Sequence, residues 1–239
     1  VNQTHYFLII PAGGSGKRMG SDAPKQFLEL DGKSLLQHTL ERLHRLPHFT
    51  RIVVAAAETD SLFMSMLQNL PTDLRTRLVV APGGAERMHS VRNALLALQD
   101  EASADDWVLV HDAVRPCVRT SDVEKLILAL QDEPAGGLLA VPARDTIKTA
   151  DATGYVTATL DRSILWQAVT PQMFRYGVLK RALDLAVQTG CQMTDEAAAV
   201  EQLGLPVKLV AGRSDNIKIT WPEDLLLAAA LLTGQAKEH

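Results

Sequence analysis

Cysteine is scarce in this 239-residue chain: Cys117 and Cys191 are the only two, and they show no metal-ligand spacing. That excludes a thiolate zinc cluster and a disulfide framework, leaving one bridge or, as expected, two free thiols. Long hydrophobic runs are absent as well. No apolar stretch approaches the ~20 residues that cross a bilayer, and the first residues lack the basic, apolar and small-residue order of a secretory signal. A cytoplasmic protein with no membrane association is expected. Positive charge is not in excess either. Against 28 Asp and Glu stand 24 Lys and Arg, a net charge of -4, so no overall attraction to nucleic acid is expected. No repeat, low-complexity tract or linker-like shift in composition interrupts residues 1–239, and a single domain with a continuous core follows.

Basic residues gather instead at one loop. The run Pro11-Ala12-Gly13-Gly14-Ser15-Gly16-Lys17-Arg18-Met19 directly follows an apolar strand candidate, and Pro24-Lys25-Gln26 comes soon after. Gly13, Gly14 and Gly16 let backbone N–H groups approach an anion closely, while Lys17, Arg18 and Lys25 supply the charge a triphosphate needs. Two better-known glycine loops do not fit. A Walker A loop would need glycine where Pro11 stands and a hydroxyl where Arg18 stands. A dinucleotide fingerprint would need a third glycine at Met19. The remaining pattern, G-G-x-G-x-R-M with a downstream P-K, resembles the signature of sugar-nucleotide type nucleotidyltransferases. A plain glycine turn with surface lysines is the alternative.

Short apolar runs alternate with segments of helical period, the pattern of an α/β protein with a mostly parallel sheet. Strands are expected at 7–10, 51–56, 78–80, 107–110, 138–141 and 207–210. Helices are expected at 34–46, 60–70, 88–98, 121–130, 177–189, 194–203 and 222–232, with Ser121 and Asp122 as cap residues of the fourth and Pro222 in the first turn of the last. From Arg144 to Leu160 the chain reads strand, turn, strand, a β-hairpin inserted among the βα units. Such a hairpin is marginal alone, so it packs on a partner subunit or folds back on its own sheet.

Further polar groups fall at strand ends, where open α/β sheets bind ligands. Asp112 follows the apolar run Val108-Leu109-Val110 and suits magnesium or a ribose hydroxyl; a turn carboxylate is the plain alternative, and His111 is read as packed, without chemistry. Gly83 and Gly84 lead into a helix bearing Ser90, a place for a base or sugar. Arg162, at the hairpin's end, matches a second phosphate by its planar guanidinium, or else pairs with Asp161. Lys218 sits within a β-like run, where an outward lysine on an edge strand is the default.

Taken together, P-A-G-G-S-G-K-R-M, P-K-Q, G-G-A-E-R, V-H-D-A-V-R-P, A-R-D-T-I-K, T-D-E-A and D-N-I-K-I-T-W-P-E-D-L, in this order from Phe7 to Leu232, resemble the 2-C-methyl-D-erythritol 4-phosphate cytidylyltransferase family. The resemblance implies a Rossmann-like three-layer nucleotidyltransferase fold with an inserted β-hairpin arm at about 142–165 that dimerises two chains. It implies CMP transfer from CTP to methylerythritol phosphate with Mg2+, or another divalent cation such as Mn2+ or Co2+. In its terms Arg18 and Lys25 serve the transition state, and Ala12, Gly13, Gly14, Gly16, Lys17, Gly84 and Ser90 hold the nucleotide. Asp112 lies near the metal. Arg162, Lys218, Thr170 and Thr194 would hold the acceptor phosphate, and Thr146 and Arg115 would face the acceptor's hydroxyls. Arg162 and Thr146 would serve the neighbouring subunit's site. Two positions depart from the family pattern: Gly13 stands where alanine is more common, and Ala85 where aspartate is. A cytidylyltransferase for ribitol 5-phosphate or another polyol phosphate is the runner-up, and a non-catalytic nucleotide-binding module is the reading from another class.

Overall fold

The computed structural model of the chain describes residues 4–14, 24–57 and 60–237. Its main sheet has seven strands, β1 (Tyr6–Pro11), β4 (Phe49–Ala56), β5 (Leu78–Pro82), β6 (Trp107–Val110), β7 (Gly136–Pro142), β10 (Trp166–Arg175) and β11 (Lys208–Ala211), in the order β11-β7-β10-β6-β1-β4-β5. β1 runs parallel to β4 and β6, β4 parallel to β5, and β11 parallel to β7. β10 alone is antiparallel, pairing with β6 on one side and β7 on the other. A short pair, β2 (Glu29–Leu30) and β3 (Lys33–Ser34), and the hairpin β8 (Lys148–Ala150) and β9 (Val156–Thr159) form two separate two-stranded sheets.

Alternate side chains of the same buried strands feed two cores. Leu8 and Ile10 of β1 pack with Leu36 of α1 (Leu35–Leu43), Phe63 of α2 (Ser61–Gln68), Leu74 of α3 (Thr72–Arg77) and Val123 of α5 (Thr120–Leu130). Phe7 and Ile9 face the other way, onto Val91 of α4 (Arg87–Ala97), Leu179 of α6 (Tyr176–Thr189) and Ala197 of α7 (Glu196–Glu201). Three layers result, as period-two strands between amphipathic helices require. α8 (Glu223–Ala236) joins a third cluster in which Ala228 meets Leu35, Cys117 and Ile219.

Local chemistry explains most boundaries. Ser34 caps α1 by accepting from the Gln37 N–H at 3.1 Å, Asp60 caps α2 from Leu62 and Phe63, and α6 stops at Gly190, whose φ of 65° is left-handed. α5 is the exception to the expected caps. It begins at Thr120, one residue before Ser121, with Arg119 at its N-cap and no side-chain cap, while Asp122 accepts the Arg213 N–H instead.

Four elements, β10, α3, β2 and β3, escaped the expected pattern. β10 is the largest, a ten-residue strand in the middle of the sheet. Pro171 falls inside it at a shift of register between Ala168 and Gln172, the one kind of place a central strand admits proline. The short helix α3 and the β2–β3 pair were likewise unforeseen. The run around Lys218, expected to be strand-like, is irregular and is pinned by the Ile219 N–H on the Val114 carbonyl at 3.0 Å. Both cysteines are free, Cys117 buried and Cys191 half-buried.

Candidate active site

β1 leads to β4 on one side of the sheet, while β6 lies on its other side, so the carboxyl ends of β1 and β6 flank a topological switch point. A cleft of about 180 Å³ opens there. It is lined by the Pro11 to Gly14 turn, Lys25 and Gln26, the Gly84 to Arg87 turn with Ser90, the Asp112 to Val114 segment, and Lys218.

Each wall is fixed by its own bonds. The Ala12 N–H donates to the Ala55 carbonyl at 2.8 Å, and the Ala12 carbonyl accepts from the buried Gln26 amide at 2.6 Å. Gln26 lies in a single 3-10 turn, Lys25–Phe27, so this bond docks Lys25 against the glycine loop. Ser90, buried in the first turns of α4, accepts the Gly84 N–H at 3.0 Å. A Cβ on Gly84 would stand 2.3 Å from His89 Cβ and 2.9 Å from the Ser90 nitrogen, so only glycine closes this turn. Gly13 and Gly83 touch across the cleft wall, a Cβ on Gly13 lying 3.4 Å from Gly83 Cα and from Ser90 Oγ.

Asp112 is the electrostatic centre. Its Oδ1 takes Arg87 at 3.0 Å, and its Oδ2 takes Lys218 at 2.9 Å and Arg115 at 3.3 Å. Burial alone would raise its pKa, but the three cations outweigh burial and hold the carboxyl far below the usual carboxylate range. Arg87 reaches on to Glu196, also buried, and although burial opposes its charge, the two carboxylates hold its pKa above the usual arginine value. Arg87, Arg115 and Lys218 thus outnumber Asp112 and Glu196 by one positive charge, and the further lining residues Lys25 and Glu86 leave that excess unchanged. That balance suits a polyanion.

Behind the carboxylate lies a neutral relay. The Asp112 N–H donates to the Thr170 hydroxyl at 3.1 Å, and Thr170 meets His111 Nδ1 at 3.0 Å. His111 Nε2 is 3.1 Å from the Arg115 carbonyl, which can only accept, so the ring proton is on Nε2 and Nδ1 accepts from Thr170. Burial pushes the His111 pKa down to about 4, as expected of a packed histidine without chemistry. The Arg115 guanidinium donates to the Asn216 carbonyl at 2.7 Å, and the Asn216 amide to the Thr170 carbonyl at 2.7 Å. Arg115 and Thr170 are therefore buried supports of Asp112 in this state.

Of the residues expected from sequence, Ala12, Gly13, Gly14, Lys25, Gly84, Ser90, Asp112 and Lys218 line one cleft. Gly16, Lys17 and Arg18 lie outside the described residues. Thr146 and Arg162 are on the arm, exposed, Arg162 donating to the Arg144 carbonyl at 2.7 Å and not to Asp161, which caps its own turn from Ser163. Thr194 is exposed in the turn before α7. Sequence reasoning gave no role to Gln26, Arg87, Gln172, Glu196 or Asn216. Arg87 and Glu196 stood in plain sight within G-G-A-E-R and T-D-E-A, but a pairing across 109 residues carries no local signal.

Among the described residues no group of three or more His, Cys, Asp or Glu side chains is placed to hold a metal. Among the described residues Asp112 and Glu86 are the carboxylates lining the cleft, and Asp112, the one among the cations, offers one oxygen-donor group, the hard ligand a divalent cation accepts.

The comparisons with known proteins agree with this geometry. The family model for 2-C-methyl-D-erythritol 4-phosphate cytidylyltransferase matches residues 6–234. A Pseudomonas putida protein of that name is 52% identical over 221 residues, 92% of each chain. The crystal structure of a 4-diphosphocytidyl-2C-methyl-D-erythritol synthase superposes with a TM-score of 0.82 at 35% identity, covering 97% of this chain and 100% of that one. The Francisella tularensis 2-C-methyl-D-erythritol 4-phosphate cytidylyltransferase structure gives 0.80 at 36% identity, covering 95% and 100%. With the sheet order, the switch-point cleft and the sequence match in accord, the chain belongs to the 2-C-methyl-D-erythritol 4-phosphate cytidylyltransferase family.

Proposed function

We propose that the switch-point cleft is the CTP site of this enzyme and that the acceptor phosphate is held on the Lys218 side of Asp112. The chain transfers CMP from CTP to 2-C-methyl-D-erythritol 4-phosphate, giving 4-diphosphocytidyl-2-C-methyl-D-erythritol and pyrophosphate, in the non-mevalonate route to isoprenoids. The observation that carries the site assignment is the Asp112 carboxylate, buried at the end of β6 among Arg87, Arg115 and Lys218, beside the glycine loop.

The chemistry needs no general base. The attacking oxygen belongs to a phosphate monoester whose second pKa is about 6, so it is ionised at neutral pH. It bonds to the α-phosphorus of CTP while the bond from that phosphorus to the bridging oxygen of the β-phosphate breaks, and pyrophosphate leaves with the electron pair. Charge builds on the equatorial and leaving oxygens, so catalysis is positioning and electrostatic stabilisation. Lys25, docked on the Ala12 backbone through Gln26, is one cation for that charge, and Arg18 is assigned the same role by family resemblance. Gly13, Gly14, Gly16 and Lys17 cradle the phosphates, and Gly84 with Ser90 shapes the base and ribose end. Lys218, Thr194 and Arg162 take the acceptor phosphate and Thr146 faces its hydroxyls; Thr170 and Arg115, engaged with His111, Asp112 and Asn216 in the substrate-free protein, join them by exchanging those bonds.

A divalent cation, Mg2+ first, with Mn2+ and Co2+ as alternatives, fits as one carried largely by the triphosphate, because among the described residues Asp112 is the one carboxylate set among the cleft's cations and no group of three or more ligating side chains is present. When bound it neutralises phosphate charge and polarises the α-phosphate. The arm supports a homodimer: β8 and β9 are exposed along their whole length, and Tyr155, Val156, Ile164 and Trp166 leave apolar surface uncovered. The chain works as one nucleotidyltransferase domain with an arm at about 142–165, and Arg162 and Thr146 serve the partner's cleft. No helix among the described residues is long and apolar enough to cross a membrane. The proposal takes the enzyme as cytoplasmic, with CTP and a polyol phosphate as its partners and neither membrane nor nucleic acid among them. Mass spectrometry of the product from CTP and the acceptor tests the reading: a cytidine diphosphate-linked polyol is expected, and free CMP alone would contradict it.

A further inference from the structure

We propose that Glu196 and Arg87 are a positioning pair that ties the nucleotide half of the site to the acceptor half. This rests on the reading of Thr194 as an acceptor contact. Arg87 is the first residue of α4, the helix whose start carries Ser90 and the Gly84 turn, and Glu196 is the first residue of α7, whose leading turn carries Thr194. One guanidinium joins them: Nη1 donates to Glu196 Oε1, while Nη2 and Nε donate to Asp112 Oδ1 at 3.0 and 3.2 Å.

Besides the apolar packing of Ala197, the start of α7 has only a few other hydrogen-bonded moorings among the described residues. Gln172 of β10 accepts the Ala197 N–H at 2.8 Å and donates to Asp195 Oδ2 at 2.9 Å, and Asp195 caps the helix from Ala198 at 2.9 Å. These fix the helix to β10 but say nothing to α4. The link across the site is Glu196 to Arg87, and Glu196 Oε2 has no partner among the described residues, so Arg87 is the group that orients this carboxylate.

A purely structural tie would not need this arrangement. Burying Asp112 and Glu196 on the Arg87 guanidinium, even with Arg115 and Lys218 also on Asp112, carries a desolvation cost that packed apolar side chains would avoid, so stability alone is a weak reason for the arrangement and the proposal assigns it to fixing geometry. Here the fork of Arg87 sets the distance between Asp112 and the α7 turn. A lysine cannot replace it, because a single ammonium lacks the planar fork that reaches both carboxylates. Glu196 is not part of the cleft lining, whereas Arg87 is, so the carboxylate acts through Arg87 and Asp112 on one side and Thr194 on the other.

The test is a double-variant cycle read in the acceptor KM, with CTP affinity measured separately by calorimetry. Glu196→Gln should raise the acceptor KM by about fivefold or more, with CTP affinity within about twofold of the parent. Arg87→Lys should raise the acceptor KM at least as far. In a Thr194→Val background, Glu196→Gln should add less than about twofold, because the contact it positions is already gone. An unchanged acceptor KM in Glu196→Gln, a full additional rise in the Thr194→Val background, or equal losses of CTP affinity and acceptor KM would each overturn the proposal. Should Thr194→Val alone leave the acceptor KM unchanged, the assignment of Thr194 falls. The tie is then supported by a raised KM in Glu196→Gln and overturned by an unchanged one.

Discussion

Lys218 Nζ lies 2.9 Å from Asp112 Oδ2, so the lysine assigned to the acceptor phosphate and the carboxylate assigned to the metal side hold one another in the substrate-free protein. Their partners make the link expensive to break from the acid side. Asp112→Asn keeps the volume but takes the countercharge from Arg115 and Lys218 and leaves Arg87 with Glu196 alone. Removing one partner of a buried ion network costs about 3 kcal/mol. A urea titration should show a loss of that order, and CMP transfer should fall at least about tenfold. Full activity and stability would dissolve the idea that Asp112 organises the cleft.

Gly13 and Gly84 make opposite predictions although they face each other across one turn. Gly13 has no positive φ and room for a methyl group at 3.4 Å, so Gly13→Ala should be tolerated and should stabilise the fold by about 0.5 kcal/mol through the unfolded chain. Gly84→Ala has its Cβ inside His89 and the Ser90 backbone. CTP affinity should drop at least about tenfold in that variant and change less than about threefold in the first.

Acid should act in two separate windows. The His111 pKa is about 4 in the folded protein and ~6.5 in the unfolded chain, so the unfolded state binds the extra proton between those values. Stability should fall by about 3 kcal/mol as pH drops from 6.5 to 4. Asp112 acts below that window. Its folded pKa is depressed, so its contribution is whole above the unfolded value of ~3.9 and is lost as pH falls further, through the folded value. In denaturant titrations at stepped pH, His111→Asn should flatten the upper slope and leave the lower one. An unchanged upper slope would assign it to other groups.

The shared-site reading of the arm is tested by mixing inactive chains. Lys25→Ala should lower the rate of CMP transfer far more than it weakens CTP binding, and Arg162→Ala should chiefly raise the acceptor KM. Verified mixed dimers of the two should regain activity, since one of their two clefts then carries neither change. No recovery would place Arg162 in its own chain's site or outside any.

Much of this architecture was legible in the sequence, and the parts that were not share a cause. β1 and β6 are continuous apolar runs ending in Pro11 and before His111-Asp112, so their burial and the polar groups at their ends could be read directly. β10 could not. Val169 to Phe174 is buried on both faces, which removes the alternation, and Pro171 argues against a central strand until the register shift is seen. Lys218 looked like an edge-strand lysine because its apolar neighbours mimic a strand, yet Ile219 is buried by pinning an irregular segment under Val114. The Arg87 to Glu196 tie and the Arg115 to Asn216 bond span more than 100 residues and exist only once the sheet has formed.

Pyrophosphate release with CTP and Mg2+, comparing 2-C-methyl-D-erythritol 4-phosphate with ribitol 5-phosphate and running ATP, GTP and UTP as controls, tests the central claim most directly. Release should occur with CTP and the methylerythritol phosphate and with no other pair at a comparable rate. Release with ribitol 5-phosphate instead would move the acceptor, and CTP binding without release from any pair would contradict the catalytic account.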